Sequence, residues 1–219
     1  MGDLYSEVCC IHSLDESTNF LSSLGALFRD NYVKVDPSIE SVNTALDTLR
    51  SLAPNSLIVF LGHGQSAGLY APESIDFQKS IMINADLGNR IFTSHDVLML
   101  SCKSGDFIRY LNTFRNIIGF GNIPSSLGEI HNEAETTGVF RNLSNEDVNH
   151  YNSIYVNAII NALKLLLVGK VTFDVIPKWI SFFLNKEINS ILREKDRPNR
   201  IELSKLLFEF RNEMVYKRR

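Results

Sequence analysis

Ser56-Leu-Ile-Val-Phe-Leu61 runs directly into Gly62-His63-Gly64, and Val97-Leu-Met-Leu100 runs directly into Ser101-Cys102-Lys103-Ser104-Gly105. Short apolar runs bounded by glycine and polar residues read as strands buried on both faces, the kind that parallel sheets contain. If the two strands belong to one sheet, a histidine and a cysteine sit just past their carboxyl ends. In open α/β sheets that is where working residues gather. A thiol becomes a nucleophile when a base takes its proton, so His63 and Cys102 form a candidate nucleophile and base pair.

The chain outside these runs supports the same architecture. Glu7-Val-Cys-Cys-Ile-His12 reads as a first strand, and residues 15–28 carry apolar residues at helical spacing behind Asp15, Ser17 and Thr18. Tyr32–Asp36 alternates like a second strand, Pro37-Ser38 opens a helix to about Leu52, and Pro54-Asn55 breaks it. The stretch from Gln65 to Ser94, with one apolar patch at Ile81–Ile83, reads as an irregular excursion. A helix is expected over Phe107–Phe114 and another buried strand over Asn116–Gly121. This alternation predicts an α/β fold: a mostly parallel sheet with helices on both faces.

Beyond Asn122 the texture changes to a polar loop through Asn149, followed by helical patterns at about 150–168, 174–194 and 200–217 and no further strand. The expected organisation is one unit over residues 1–168 with a C-terminal helical extension, 169–219, packed on it.

Composition narrows the function classes. The chain has 219 residues, 44% hydrophobic and 21% charged, with a formal net charge of −3. The charges are mixed along the chain, so no nucleic-acid footprint is expected. Three cysteines, two of them adjacent (Cys9 and Cys10), do not make a disulfide framework and fit a reducing cytoplasm. The N-terminus lacks the basic start and long apolar stretch of a signal peptide. Ile154–Val168 is interrupted by Asn157, Asn161 and Lys164 and reads as a core helix, not a membrane span. Neither metal ligands nor an organic cofactor motif is evident, and Cys9 and Cys10 on one strand point to opposite faces.

Around the pair, further residues acquire roles. The glycines beside His63 let backbone approach a substrate, and the Gly64 and Cys102 amides form a candidate oxyanion hole. Cys102 precedes a helix expected to start near Asp106, whose positive end would favour a thiolate. Asn122, Ser125 and Glu129 are candidate substrate-pocket residues, and the acidic run Gly128–Glu135 is either a pocket wall or a solvated loop.

Strand-His63-Gly64 and strand-Ser101-Cys102-Lys-Ser-Gly105 resemble the motifs of the caspase-like cysteine peptidases, the clan of caspases, metacaspases and bacterial CHAT proteases. The resemblance spans about Glu7 to Leu167 and includes Ile117-Ile-Gly-Phe-Gly-Asn-Ile-Pro124, which looks like the glycine-containing strand and loop after the catalytic helix of CHAT proteins. It implies endopeptidase activity, a protein substrate, His63 as base, Cys102 as nucleophile and no cofactor. It also implies a regulatory or sensor partner and a place in bacterial defence or regulated death. Leu100 stands where many metacaspases carry an Asp that binds a basic P1 residue, and the Gln-Ala-Cys-Arg-Gly motif of caspases is absent. P1 preference stays open.

Three rival readings exist. Gly64-Gln65-Ser66-Ala67-Gly68 matches the nucleophile elbow of serine α/β-hydrolases, with Asp147 and His150 to complete it, although Pro72 spoils the required helix. His95-Asp96 competes with His63, but a strand of seven residues would hold His95 about 20 Å from the thiol; His131 and His150 read as solvated. A binding module with a degenerate dyad would dock partners through its C-terminal helices. Trp179, Phe182, Phe183, Phe208 and Phe210 read as core or interface.

Overall fold

The structure is a computed structural model and describes residues 4–131 and 140–219. In chain order the strands are β1 (Val8–Ser13), β2 (Tyr32–Val35), β3 (Leu57–Leu61), β4 (Gly64–Gln65), β5 (Gly68–Tyr70), β6 (Ile81–Asn84), β7 (Asp96–Leu100), β8 (Asn116–Gly119) and β9 (Val215–Arg218). The α-helices are α1 (Ser22–Gly25), α2 (Ile39–Ser51), α3 (Ala85–Ile91), α4 (Ser104–Phe107), α5 (Asn145–Leu167), α6 (Ile176–Arg193) and α7 (Arg200–Asn212). Six strands form the main sheet in the order β2-β1-β3-β7-β8-β9, parallel except for β9.

Alternation along the strands divides the core in two. Cys10, Val59, Leu98 and Ile118 pack with α5, α6 and α7 on one face. Cys9, Ile58, Val97 and Ile117 pack with α2 and α3 on the other. The sheet is covered on both faces, as the apolar runs Leu57–Leu61 and Val97–Leu100 of its central strands require, and the layout is consistent with a caspase-like one. Cys9 and Cys10 do face opposite sides. Ser144 and Asp147 close a capping box that starts α5 at Asn145, ahead of the apolar pattern. Phe210 stacks on Phe120 and Tyr155 in the core, whereas Phe182 and Phe208 are exposed. Among the described residues no helix is long and apolar enough to cross a membrane.

Four segments differ from expectation. The excursion Gln65–Ser94 is ordered: β4, β5 and β6 form a small antiparallel sheet, and Asn84 caps α3 by accepting from Leu87 N–H. Its strands are two to four residues long, too short for a period-two pattern to register. The helix expected over residues 15–28 is broken into short turns, with α1 a single turn. There the Asp15 carboxylate accepts from Ser17 N–H and Thr18 N–H, so a side chain takes up backbone donors that a helix would have used. The helix expected at Phe107–Phe114 starts earlier, as α4, and ends in a 3₁₀ turn at Tyr110.

The last helix stops at Asn212, and residues 215–218 form β9, an antiparallel edge strand that the helical pattern concealed. Tyr216 O–H donates to Asn116 Oδ1 across that pairing at 2.7 Å. The C-terminal segment thus contributes a strand as well as helices to the sheet's unit.

Candidate active site

Adjacent parallel strands lie about 4.8 Å apart, and β3 and β7 pair with Leu61 opposite Leu100. Gly62 N–H donates to Leu100 O at 3.2 Å, carrying the pairing one step past the strands. His63 and Cys102 therefore leave the same edge of the sheet side by side, and both line one cavity of about 30 Å³. The two runs quoted at the outset do bring their reactive residues together.

Hydrogen bonds from three directions hold the cysteine turn. Lys103 sits in the left-handed region, φ 55°, with its N–H donating to Gly121 O at 2.7 Å. Ser104 O–H is shared between Met99 O and Ser101 O, and its oxygen accepts from Phe120 N–H. These contacts tie the turn to the end of β8. The dipole expected behind Cys102 does not materialise, because α4 is one turn long and has little macrodipole. Burial pushes the Cys102 thiol above its ordinary value, and its S–H donates to Ile123 O at 3.1 Å, a bond that only the protonated form can make. A thiol held protonated in this way needs a base.

Gly64 crosses directly over that turn. A Cβ there would lie 2.7 Å from Ser101 Oγ and 3.0 Å from Cys102 O, so only glycine lets β4 come this close. Tyr70 N–H donates to His63 O, which makes Gly64 and Leu69 a non-hydrogen-bonded pair in the β4/β5 ladder. Gly64 N–H accordingly points away from β5.

The histidine's partners are residues whose place ahead of an apolar pattern predicts helix capping. Asp15 and Ser17 lie in the loop after β1, the strand next to β3. Ser17 Oγ is 2.6 Å from His63 Nε2, and Asp15 Oδ2 is 3.5 Å from the same nitrogen. Burial alone would raise the Asp15 carboxyl. The His63 imidazole beside it and hydrogen bonds from Ser17 and Thr18 overcome that and hold it well below the usual carboxylate range, so it is ionised. Ser17 has one hydroxyl proton and gives it to Asp15 Oδ1 at 2.7 Å. Its oxygen must then accept from His63 Nε2–H, which leaves the lone pair on Nδ1.

Among the candidate pocket residues, Ser125 and Glu129 line the cavity with His63 and Cys102. Ser125 N–H and O–H both donate to Glu129 Oε2, at 2.7 and 3.1 Å. Asn122 is not among the residues lining it; its N–H donates to Glu213 Oε2 at 2.9 Å. Of the acidic run, residues 132–135 lie outside the described residues. Leu100 is buried and packs into the core.

The rival sites come apart. Ser66 and Ala67 form the exposed two-residue turn of the β4–β5 hairpin, so Ser66 opens no helix and is not at an elbow. Asp147 caps α5 and His150 pairs with Arg197, so both serve the start of that helix. His95 is at the opposite end of the sheet, its Nδ1 accepting from Ser56 N–H. Asp96 beside it is bound by Arg115, Asn116 and Tyr5. His131 is exposed. Among the described residues no cluster of His, Cys, Asp or Glu could hold a metal ion.

Comparison with protein-family models finds no match, and comparison with curated proteins finds none either.

Proposed function

We propose that this chain is a cysteine endopeptidase of caspase-like type. The observation that carries the reading is the shared cavity at the carboxyl ends of β3 and β7, where His63, fixed by Ser17 and Asp15, meets the half-buried Cys102 thiol. His63 Nδ1 takes the proton as Cys102 Sγ turns from Ile123 O toward the substrate. The thiolate adds to the scissile carbonyl, and the oxyanion is received by the Gly64 and Cys102 N–H groups. Collapse of the intermediate expels the amine, which takes the proton from His63. Water, deprotonated by the same nitrogen, then hydrolyses the thioester and frees Cys102. While the imidazolium exists, ionised Asp15 faces its Nε2 side and stabilises it.

The same reading carries a protein substrate, a regulatory or sensor partner, and a role in bacterial defence or regulated death, all taken from the motif resemblance. The decisive experiment compares cleavage of a proteome-derived peptide library by the wild type, Cys102→Ala, His63→Ala and Ser66→Ala. Cys102→Ala should abolish turnover, His63→Ala should lower it by at least about 10³-fold, and Ser66→Ala should leave it unchanged. Activity that survives in Cys102→Ala and disappears in Ser66→Ala would sink the reading.

A further inference from the structure

A cavity of about 30 Å³ accommodates a water molecule or two, not a peptide side chain. Beside it lies a groove of about 600 Å³ that shares Ser17, Phe20 and Ser125 with it. One wall is the loop after β1, and the other is the first half of α5. Of its twelve lining residues, five are serine and four asparagine, and Glu16 is the only charged one. Neither Lys nor Arg lines the groove or the Cys102 cavity among the described residues.

The groove contains one polar group in deficit. Asn152 is 5% exposed, and its Nδ2 donates to Ser125 O at 3.1 Å. Its Oδ1 is buried with no hydrogen-bond partner among the described residues. A buried acceptor left without a donor is costly, and a turn of the Asn152 amide toward the groove would let a ligand N–H recover that cost.

Charge and hydrogen-bonding capacity identify the ligand. A carboxylate entering the groove would meet Glu16 and Glu129 with no cation to offset them. An ammonium or guanidinium would lose water with only the exposed, solvent-screened carboxylate of Glu16 to face it, because Glu129 is engaged by Ser125 and Asp15 by Ser17 and His63. A carboxamide donates and accepts in the same geometry as the asparagines that would surround it.

From this we infer that the groove is a specificity subsite for an Asn or Gln side chain flanking the scissile bond. The inference rests on the reading of Cys102 as a peptidase nucleophile. Peptide-library cleavage by the full chain tests it, with Cys102→Ala as control and two charge variants, Asn152→Asp in the wall and Asn157→Asp on the exposed rim. Cys102-dependent sites should carry Asn or Gln at one flanking position about tenfold above background. Either aspartate variant should lower that enrichment and raise Lys and Arg at the same position, and Asn157→Asp gives this readout even if Asn152→Asp fails to fold. Cys102-dependent cleavage with charged residues, or no preference, at that position would overturn the subsite and leave the peptidase standing. Absence of any Cys102-dependent cleavage would overturn the peptidase itself, and the subsite with it.

Discussion

The Ser17 hydroxyl has one proton, and its delivery to Asp15 determines which nitrogen of His63 is basic. Asp15→Asn removes the negative charge that faces the imidazolium and gives Ser17 a donor where it had an acceptor. The expected result is a fall in kcat of about 10²-fold or more with KM little changed, read from initial rates. His12, deeper in β1, sets a pH limit on stability. Burial lowers its pKa to about 4, against the bond to Thr18 O that favours the charged form. The unfolded chain takes up this proton near pH 6.5, so between 6.5 and about 4 it binds more protons than the folded one, and stability falls as pH falls. The loss reaches about 3 kcal/mol at most. Asp15 has the same sign in a lower window, below its ordinary value. Denaturant melts at pH 7, 5.5 and 4.5 should show the His12 slope in the wild type and its loss in His12→Gln.

At the scale of elements, the cysteine turn is held by bonds to its neighbours and not by a helix dipole. Ser104→Ala leaves Phe120 N–H without its acceptor in a buried site and should destabilise the fold by about 1–3 kcal/mol, measured by denaturant titration. Lys103→Gly, at a left-handed position, should be neutral or stabilising by up to about 1 kcal/mol, whereas a β-branched residue there should destabilise. This is also where sequence reading loses resolution. β3 and β7 were legible because Leu57–Leu61 and Val97–Leu100 are apolar throughout and end at Gly62 and Ser101. β4 and β5 were not, because strands this short show no periodicity. The loop after β1 carries helical spacing in its apolar residues, but Asp15 spends its carboxylate on that loop's own amides.

Across the whole molecule, the C-terminal strand reaches the site from behind. Glu213 holds Asn122 N–H, and Val215 packs against Gly105 in the cysteine turn. Truncation after Asn212 exposes the edge of β8 and unties both contacts. The shortened chain should melt at least about 5 °C lower, self-associate in light scattering, and cleave more slowly than its stability loss alone explains. A sequence pattern could not place this strand, since an edge strand is defined by the partner it finds.

The sequence by itself determined the layered α/β core and the meeting of His63 with Cys102. Buried parallel strands are uniformly apolar, and adjacent strands bring their carboxyl ends together. Tertiary structure alone decided the rest: the Asp15 and Ser17 contacts that set the histidine's tautomer, the Cys102 thiol's bond to Ile123 O, the groove of amides and hydroxyls, and the pairing of β9 with β8. Each depends on hydrogen bonds or packing between residues far apart in the chain, and no local periodicity encodes those.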